Sequence, residues 1–243
     1  MFALVLNIFT FILTIIVNAY SNILPLNNQT TGEVSNKLDV LVTPPGYVFS
    51  IWTVIYLLCG IWIIRQISAS RRHLDVYRKS SFFFIMSNLL NAAWLFLWHY
   101  EQFFASVIVM AALLITLIAL YTSIQRTRHT LMDILPFSIY TGWISVAAIV
   151  NISYYLKYIG WGGFGLSDQL WTVIVLILGA ALALLFRYVN RDWFYPLVFI
   201  WAFTGIGYRN WEEHAFVSYA AFALSAVILA AIPLLRKKKK SIW

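Results

Sequence analysis

Eight apolar stretches of roughly 20 residues, separated by short polar turns, set the terms for this 243-residue chain. A helix rising about 1.5 Å per residue needs about 20 such residues to cross the hydrocarbon core of a bilayer. By that measure the spans fall at residues 1–20, 47–67, 80–98, 103–124, 132–156, 169–189, 194–208 and 215–235. The seventh is short and carries Pro196, Gly205 and Gly207, which predicts a tilted or broken helix. No Lys or Arg precedes the first, so it reads as a retained helix and not as a cleaved signal. Composition supports this reading. Only 11% of residues are charged and 62% are hydrophobic, whereas soluble domains carry roughly 25% charge. Too few charges exist to coat a water-facing surface. A disordered chain, a disulfide scaffold and a soluble enzyme are thereby excluded. The single cysteine, Cys59, allows neither an internal disulfide nor a multi-cysteine metal site. The expected class is an all-α integral membrane protein of about eight helices.

The net charge of +8 is distributed by loop. One alternate set of loops holds Arg65, Arg71, Arg72, Arg78, Lys79, Arg126, Arg128, Arg187, Arg191 and the run 236–240; the other holds only Lys37, Lys157 and Arg209. Lys and Arg accumulate on the cytoplasmic side of membrane proteins, so both termini are expected inside a cytoplasmic membrane, bacterial by this reading. The basic run beside the last apolar helix reads as a membrane anchor, and no nucleic-acid partner is expected.

Polar residues at membrane depth mark candidate sites because lipid offers them no partner. No Lys lies deep in a span, which excludes a retinal Schiff base, and no carboxylate lies at mid-membrane to couple proton or sodium transport. Glu101, Asp133 and Asp168 fall near interfaces, while His73, His99, His129 and His214 sit at span ends or in loops and read as solvated residues with no metal role. Amides and aromatics remain: Asn88, Asn91 and Asn151, with Trp52, Tyr56, Trp94, Trp98, Tyr140 and Trp143. Trp52 and Tyr56 are one turn apart. Asn91, Trp94 and Trp98 share a second helix face, and Tyr140, Trp143, Ala147 and Asn151 line a third. Three helices therefore each present an aromatic and amide stripe that avoids lipid. Such stripes serve either as packing contacts or as a cavity wall. Trp62, Trp161, Trp193, Trp211 and Trp243 are assigned to interfacial belts.

The run Thr43, Pro44, Pro45, Gly46, Tyr47, Val48, Phe49, Ser50, Ile51, Trp52, Thr53, Val54, Ile55, Tyr56 resembles the second-helix signature of the tryptophan-rich sensory protein/translocator protein (TspO/MBR) family. Asn88 to Trp94 and the pair Leu135–Pro136 followed by Trp143 to Asn151 are similar to that family's third- and fifth-helix motifs. The resemblance implies a five-helix bundle over residues 1–156 that binds porphyrins or other flat apolar ligands, with residues 21–43 as a mobile lid. A three-helix extension with a basic cytoplasmic tail would follow over 157–243.

Carried over by position, Trp52, Asn91, Trp143 and Ala147 line the cavity; Tyr56, Trp94 and Asn151 are added from helix facing. Asn91 and Asn151 are expected to supply the ligand's hydrogen bonds. Tyr47 replaces the family's more usual Trp, and the lid contains no Trp. In the extension, Trp201, Gly205 and Tyr208 share a face, and Gly179 and Ala183 form a small-residue pair suited to close packing or to dimerisation. The expected function is binding of a flat hydrophobic, porphyrin-like ligand for sensing, sequestration or transport. No cofactor is required, a tetrapyrrole such as haem is a candidate ligand, and the bilayer and a second copy of the chain are the partners. Two alternatives stay open: an enzyme modifying a porphyrin or isoprenoid in the same cavity, and a transporter of a small uncharged substrate.

Overall fold

The computed structural model describes residues 2–23 and 26–235. The basic run 236–240 and Trp243 lie outside the described residues. The described chain is helical, with no strand: α1 (Phe2–Ile23), α2 (Thr31–Asn36), α3 (Ile51–Ile67), α4 (Asp75–His99), α5 (Phe103–Gln125), α6 (Leu131–Tyr158), α7 (Asp168–Asn190), α8 (Phe194–Arg209) and α9 (Ala215–Leu234). Seven of these are long and apolar enough to cross a membrane. The remaining expected span, α8, has 16 residues, about 24 Å of helix against a hydrocarbon thickness of roughly 30 Å. It is an unbroken helix despite Pro196, which sits in the first turn where the missing N–H costs least.

Helix ends follow local chemistry. The third expected span begins earlier than its apolar run because Asp75 opens α4 and pairs with Arg78 and Lys79 on the same turn of helix. Thr130 caps α6 reciprocally with Asp133, and Ser167 caps α7 through Leu170 N. The double proline delays α3: Gly46–Ser50 forms a single 3-10 turn before the α-helix starts at Ile51.

The chain divides into two compact units. The first comprises Met1–Val40 and Ser50–Gly160, thus α1 to α6; here α1 packs on α3 and α4, α5 on α4 and α6, and α6 on α3. The second comprises Trp161–Trp243 together with Leu41–Phe49, and its α7, α8 and α9 pack on one another. Gly179 and Ala183 are buried within it.

A polar ribbon ties α1 into the first unit. Asn7, Thr10, Thr14, Asn18 and Ser21 recur at helical spacing and are all buried. Asn7 Nδ2 donates to Gln66 Oε1 and Ser81 Oγ, both at 3.0 Å. Thr14 Oγ1 donates to Asn88 O at 3.0 Å, and Asn18 Nδ2 to Asn91 Oδ1 at 3.1 Å. Interhelical hydrogen bonds of this kind contribute about 0.6–2 kcal/mol each in lipid.

Two sequence assignments are corrected here. Trp62 is not a belt residue: it is fully buried against Tyr77, Phe84 and Phe137, with ring centroids 5.4, 4.9 and 5.1 Å away. His99 is not solvated: it is buried, with Nδ1 2.7 Å from Leu95 O and Nε2 3.4 Å from Thr31 Oγ1. Both stand near the ends of their helices, where hydropathy alone cannot tell an inward face from an outward one.

Candidate functional site

Trp52 is the second residue of α3, and the helix places Tyr56 directly beneath it. The two rings stack with centroids 5.3 Å apart and planes 20° from parallel. From α6, Tyr140 and Trp143 meet Trp52 edge-on at 5.7 and 6.3 Å. Phe11 of α1 meets Tyr56 edge-on at 6.3 Å. Edge-to-face and offset contacts are the geometries aromatic quadrupoles favour. Tyr140 and Trp143 are buried, whereas Trp52 and Tyr56 keep part of their surface exposed. This is an aromatic wall with an accessible indole at its centre.

Asn91 closes the wall from α4. Its Nδ2 donates to Tyr140 Oη at 2.8 Å, while its Oδ1 accepts from Asn18. The carboxamide expected to meet a ligand thus joins three helices. The Tyr56 hydroxyl is different: it is buried and has no hydrogen-bond partner among the described residues. An unmet buried hydroxyl costs about 1–3 kcal/mol, so it is a natural handle for a polar group on a guest. Buried Cys59 lies one turn further along α3.

The other sequence candidates form a separate cluster. Trp94 Nε1 donates to Asn151 Oδ1 at 3.0 Å, and Asn151 Nδ2 donates to Ser106 Oγ at 3.0 Å. Trp94 stacks on Trp98 at 5.6 Å, and Trp98 packs on Phe103 and Tyr154. Ala147 lies between the two clusters on α6, half-buried. The structure therefore gathers Trp52, Tyr56, Asn91 and Trp143, and places Trp94 and Asn151 in a second group.

Residues 26–40, part of the expected lid, are folded onto this second group. Tyr154 Oη donates to Val34 O at 2.9 Å, and Trp98 Nε1 to Thr31 O at 3.4 Å. Asn27 Nδ2 donates to His99 O at 3.0 Å, and Lys37 pairs with Glu101. Lys37 holds the Glu101 carboxyl below its ordinary range by a charged hydrogen bond. A capping box between Thr30 and Glu33 starts α2.

At the opposite end of the same bundle, an ion pair escaped the sequence reading. Arg65 Nη2 lies 3.1 Å from Asp133 Oδ1, which also accepts from Tyr77 Oη at 2.8 Å; Asp133 Oδ2 accepts from Thr130 Oγ1 at 2.7 Å. This cluster fastens α3, α4 and α6 together. No group of three or more potential metal ligands occurs among the described residues.

A family model described as TSPO-like protein matches residues 4–234. The chain belongs to the TSPO-like protein family. The match runs from α1 to the last residue of α9, so the three C-terminal helices fall within the matched residues. No curated protein and no solved structure matches the chain.

Proposed function

We propose that this TSPO-like membrane protein binds a flat, apolar ligand against the wall formed by Trp52, Tyr56, Tyr140 and Trp143, and that binding serves sensing, sequestration or transport. The stacked, partly exposed Trp52–Tyr56 pair carries the reading. Such a pair offers a planar guest an extended π face, worth about 0.5–1.5 kcal/mol per ring beyond surface burial. The buried, unpartnered Tyr56 hydroxyl supports it by supplying the one directional contact an apolar site needs. Among the described residues, no carboxylate or imidazole contacts these rings to act as acid or base. Protoporphyrin is the test probe. Titration of the purified protein, read by the porphyrin's own absorbance, is expected to show saturable binding that weakens about tenfold in Trp52→Ala and in Trp143→Ala. Equal affinity in the wild type and both variants removes the site.

A further inference from the structure

The lead-in to α3 is gripped by the C-terminal helices. Three side chains, from the middle, the last residue and the C-cap of α8, donate to three backbone carbonyls of residues 41–49: Trp201 Nε1 to Val48 O at 3.0 Å, Arg209 Nη1 to Thr43 O at 3.1 Å, and Asn210 Nδ2 to Leu41 O at 2.9 Å. Gly205 lies flat beneath the same segment. A Cβ there would run into Val48 Cγ2 and come within 3.3 Å of Pro45 Cδ. Tyr47 meets Trp201 and Tyr208 edge-on at 5.8 and 6.3 Å. The face that Trp201, Gly205 and Tyr208 share therefore carries this contact, with Trp201 and Tyr208 still partly exposed.

The chemistry suits the sequence. Pro44 and Pro45 have no N–H, so residues 41–45 form no helix before the 3-10 turn at Gly46, and carbonyls there need outside donors. Residues 41–44 and Val48 are buried. Trp52 follows Val48 by four residues of continuous helical turn. The other part of the same loop, α2, is fastened to α4 and α6 by Trp98, Tyr154 and Glu101. One connection is thus tied at two places, and its second tie belongs to helices outside the aromatic wall.

We infer that Trp201, Gly205, Arg209 and Asn210 are positioning residues: they anchor residues 41–49 and so set how fast a ligand reaches and leaves the wall. The inference rests on the ligand-binding reading above and gives the three C-terminal helices a task within it. It predicts rates more than affinity, because loosening an access segment speeds arrival and departure together.

The full chain in lipid nanodiscs provides the test, with Trp201→Phe/Asn210→Leu deleting two donors at nearly constant shape. Gly205→Ala is the second variant, wedging the segment away without touching a donor, and Trp211→Phe, an exposed tryptophan of the same unit, is the control. Three quantities are read: amide hydrogen exchange over 41–49, protoporphyrin association and dissociation rates, and alkylation of buried Cys59 by N-ethylmaleimide. Both variants are expected to accelerate exchange at 41–49 about tenfold with α5 unchanged, to raise both protoporphyrin rates several-fold, and to speed Cys59 alkylation. Unchanged exchange overturns the anchor. Faster exchange with wild-type ligand rates and wild-type alkylation overturns its control of access. If the wild type binds no protoporphyrin, the ligand reading fails on its own, and Cys59 alkylation then decides the anchor: a faster reaction sustains it and an equal rate overturns it.

Discussion

Tyr56 and Asp133 show opposite ways of placing a polar group in the bundle. The Tyr56 hydroxyl is buried without a partner, so Tyr56→Phe should leave stability unchanged or raise it by about 1 kcal/mol. The same change should weaken any ligand that bonds to the hydroxyl. Thermal unfolding in detergent, paired with the protoporphyrin titration, separates the two effects; a clear loss of stability would mean the hydroxyl is already satisfied. Asp133 is the reverse. It accepts from Arg65, Tyr77 and Thr130, and Asp133→Asn leaves a cation facing a neutral amide. The expected cost is about 2–3 kcal/mol, below the 3–5 of fully buried pairs because Arg65 is partly solvated. A shift in the thermal midpoint checks it. That Trp52 and Tyr56 share a face was legible in the sequence because helical spacing fixes it, whereas only the family resemblance pointed to Trp143 beside them. Arg65 with Asp133 was not, since 68 residues separate them and no periodicity reports which helices are neighbours.

Among the elements, α1 and α2 carry the clearest consequences. The α1 ribbon at positions 7, 10, 14, 18 and 21 has the spacing of one helix face. It was overlooked because Thr and Ser satisfy themselves on their own helix in lipid, as Thr10 and Thr14 do here, and so carry little hydropathy signal. Helix α2 was read as part of a mobile lid on length and polarity, yet it has a capping box and a set of tertiary ties. Thr30→Ala should cost about 1 kcal/mol locally and speed amide exchange over residues 31–36 while α4 stays protected; equal exchange in both proteins would show that the cap contributes nothing. The tie through Glu101 is pH-dependent in a defined direction. Its carboxyl titrates below the ordinary value of 4.5 because Lys37 favours the charged form. The stabilisation is therefore full above about pH 5 and lost as pH falls through the lowered value. Exchange over 31–36, corrected for intrinsic chemistry, should be flat from pH 8 to about 5 and accelerate below about 4. Lys37→Met should remove the Glu101 share of that acid step and leave the share of Glu33, whose carboxyl the hydrogen bonds of Thr30 also hold below its ordinary range.

For the whole molecule, the distribution of basic residues over the loops predicts an even number of crossings, and α8 decides it. If α8 spans, residues 191 and 212 lie on opposite sides of the membrane. Single cysteines placed by Glu212→Cys and Arg191→Cys, in a Cys59→Ser background, should react with a membrane-impermeant maleimide from opposite faces of oriented vesicles. Reaction from the same face would leave α8 as a re-entrant helix. Length and hydropathy made the other seven crossings plain in the sequence, whereas the destination of residues 41–49 was hidden, because proline-rich backbone advertises no partner. The 16-residue length of α8 also makes the thickness of the surrounding lipid a variable of state. Leu197, Trp201 and Tyr208 leave part of this helix uncovered, so if α8 crosses, acyl chains beside it shorten or tilt to match it, at a fraction of a kcal/mol per Å. Short-chain phospholipids should therefore favour the intact C-terminal helices, and thick, sterol-stiffened bilayers should work against them.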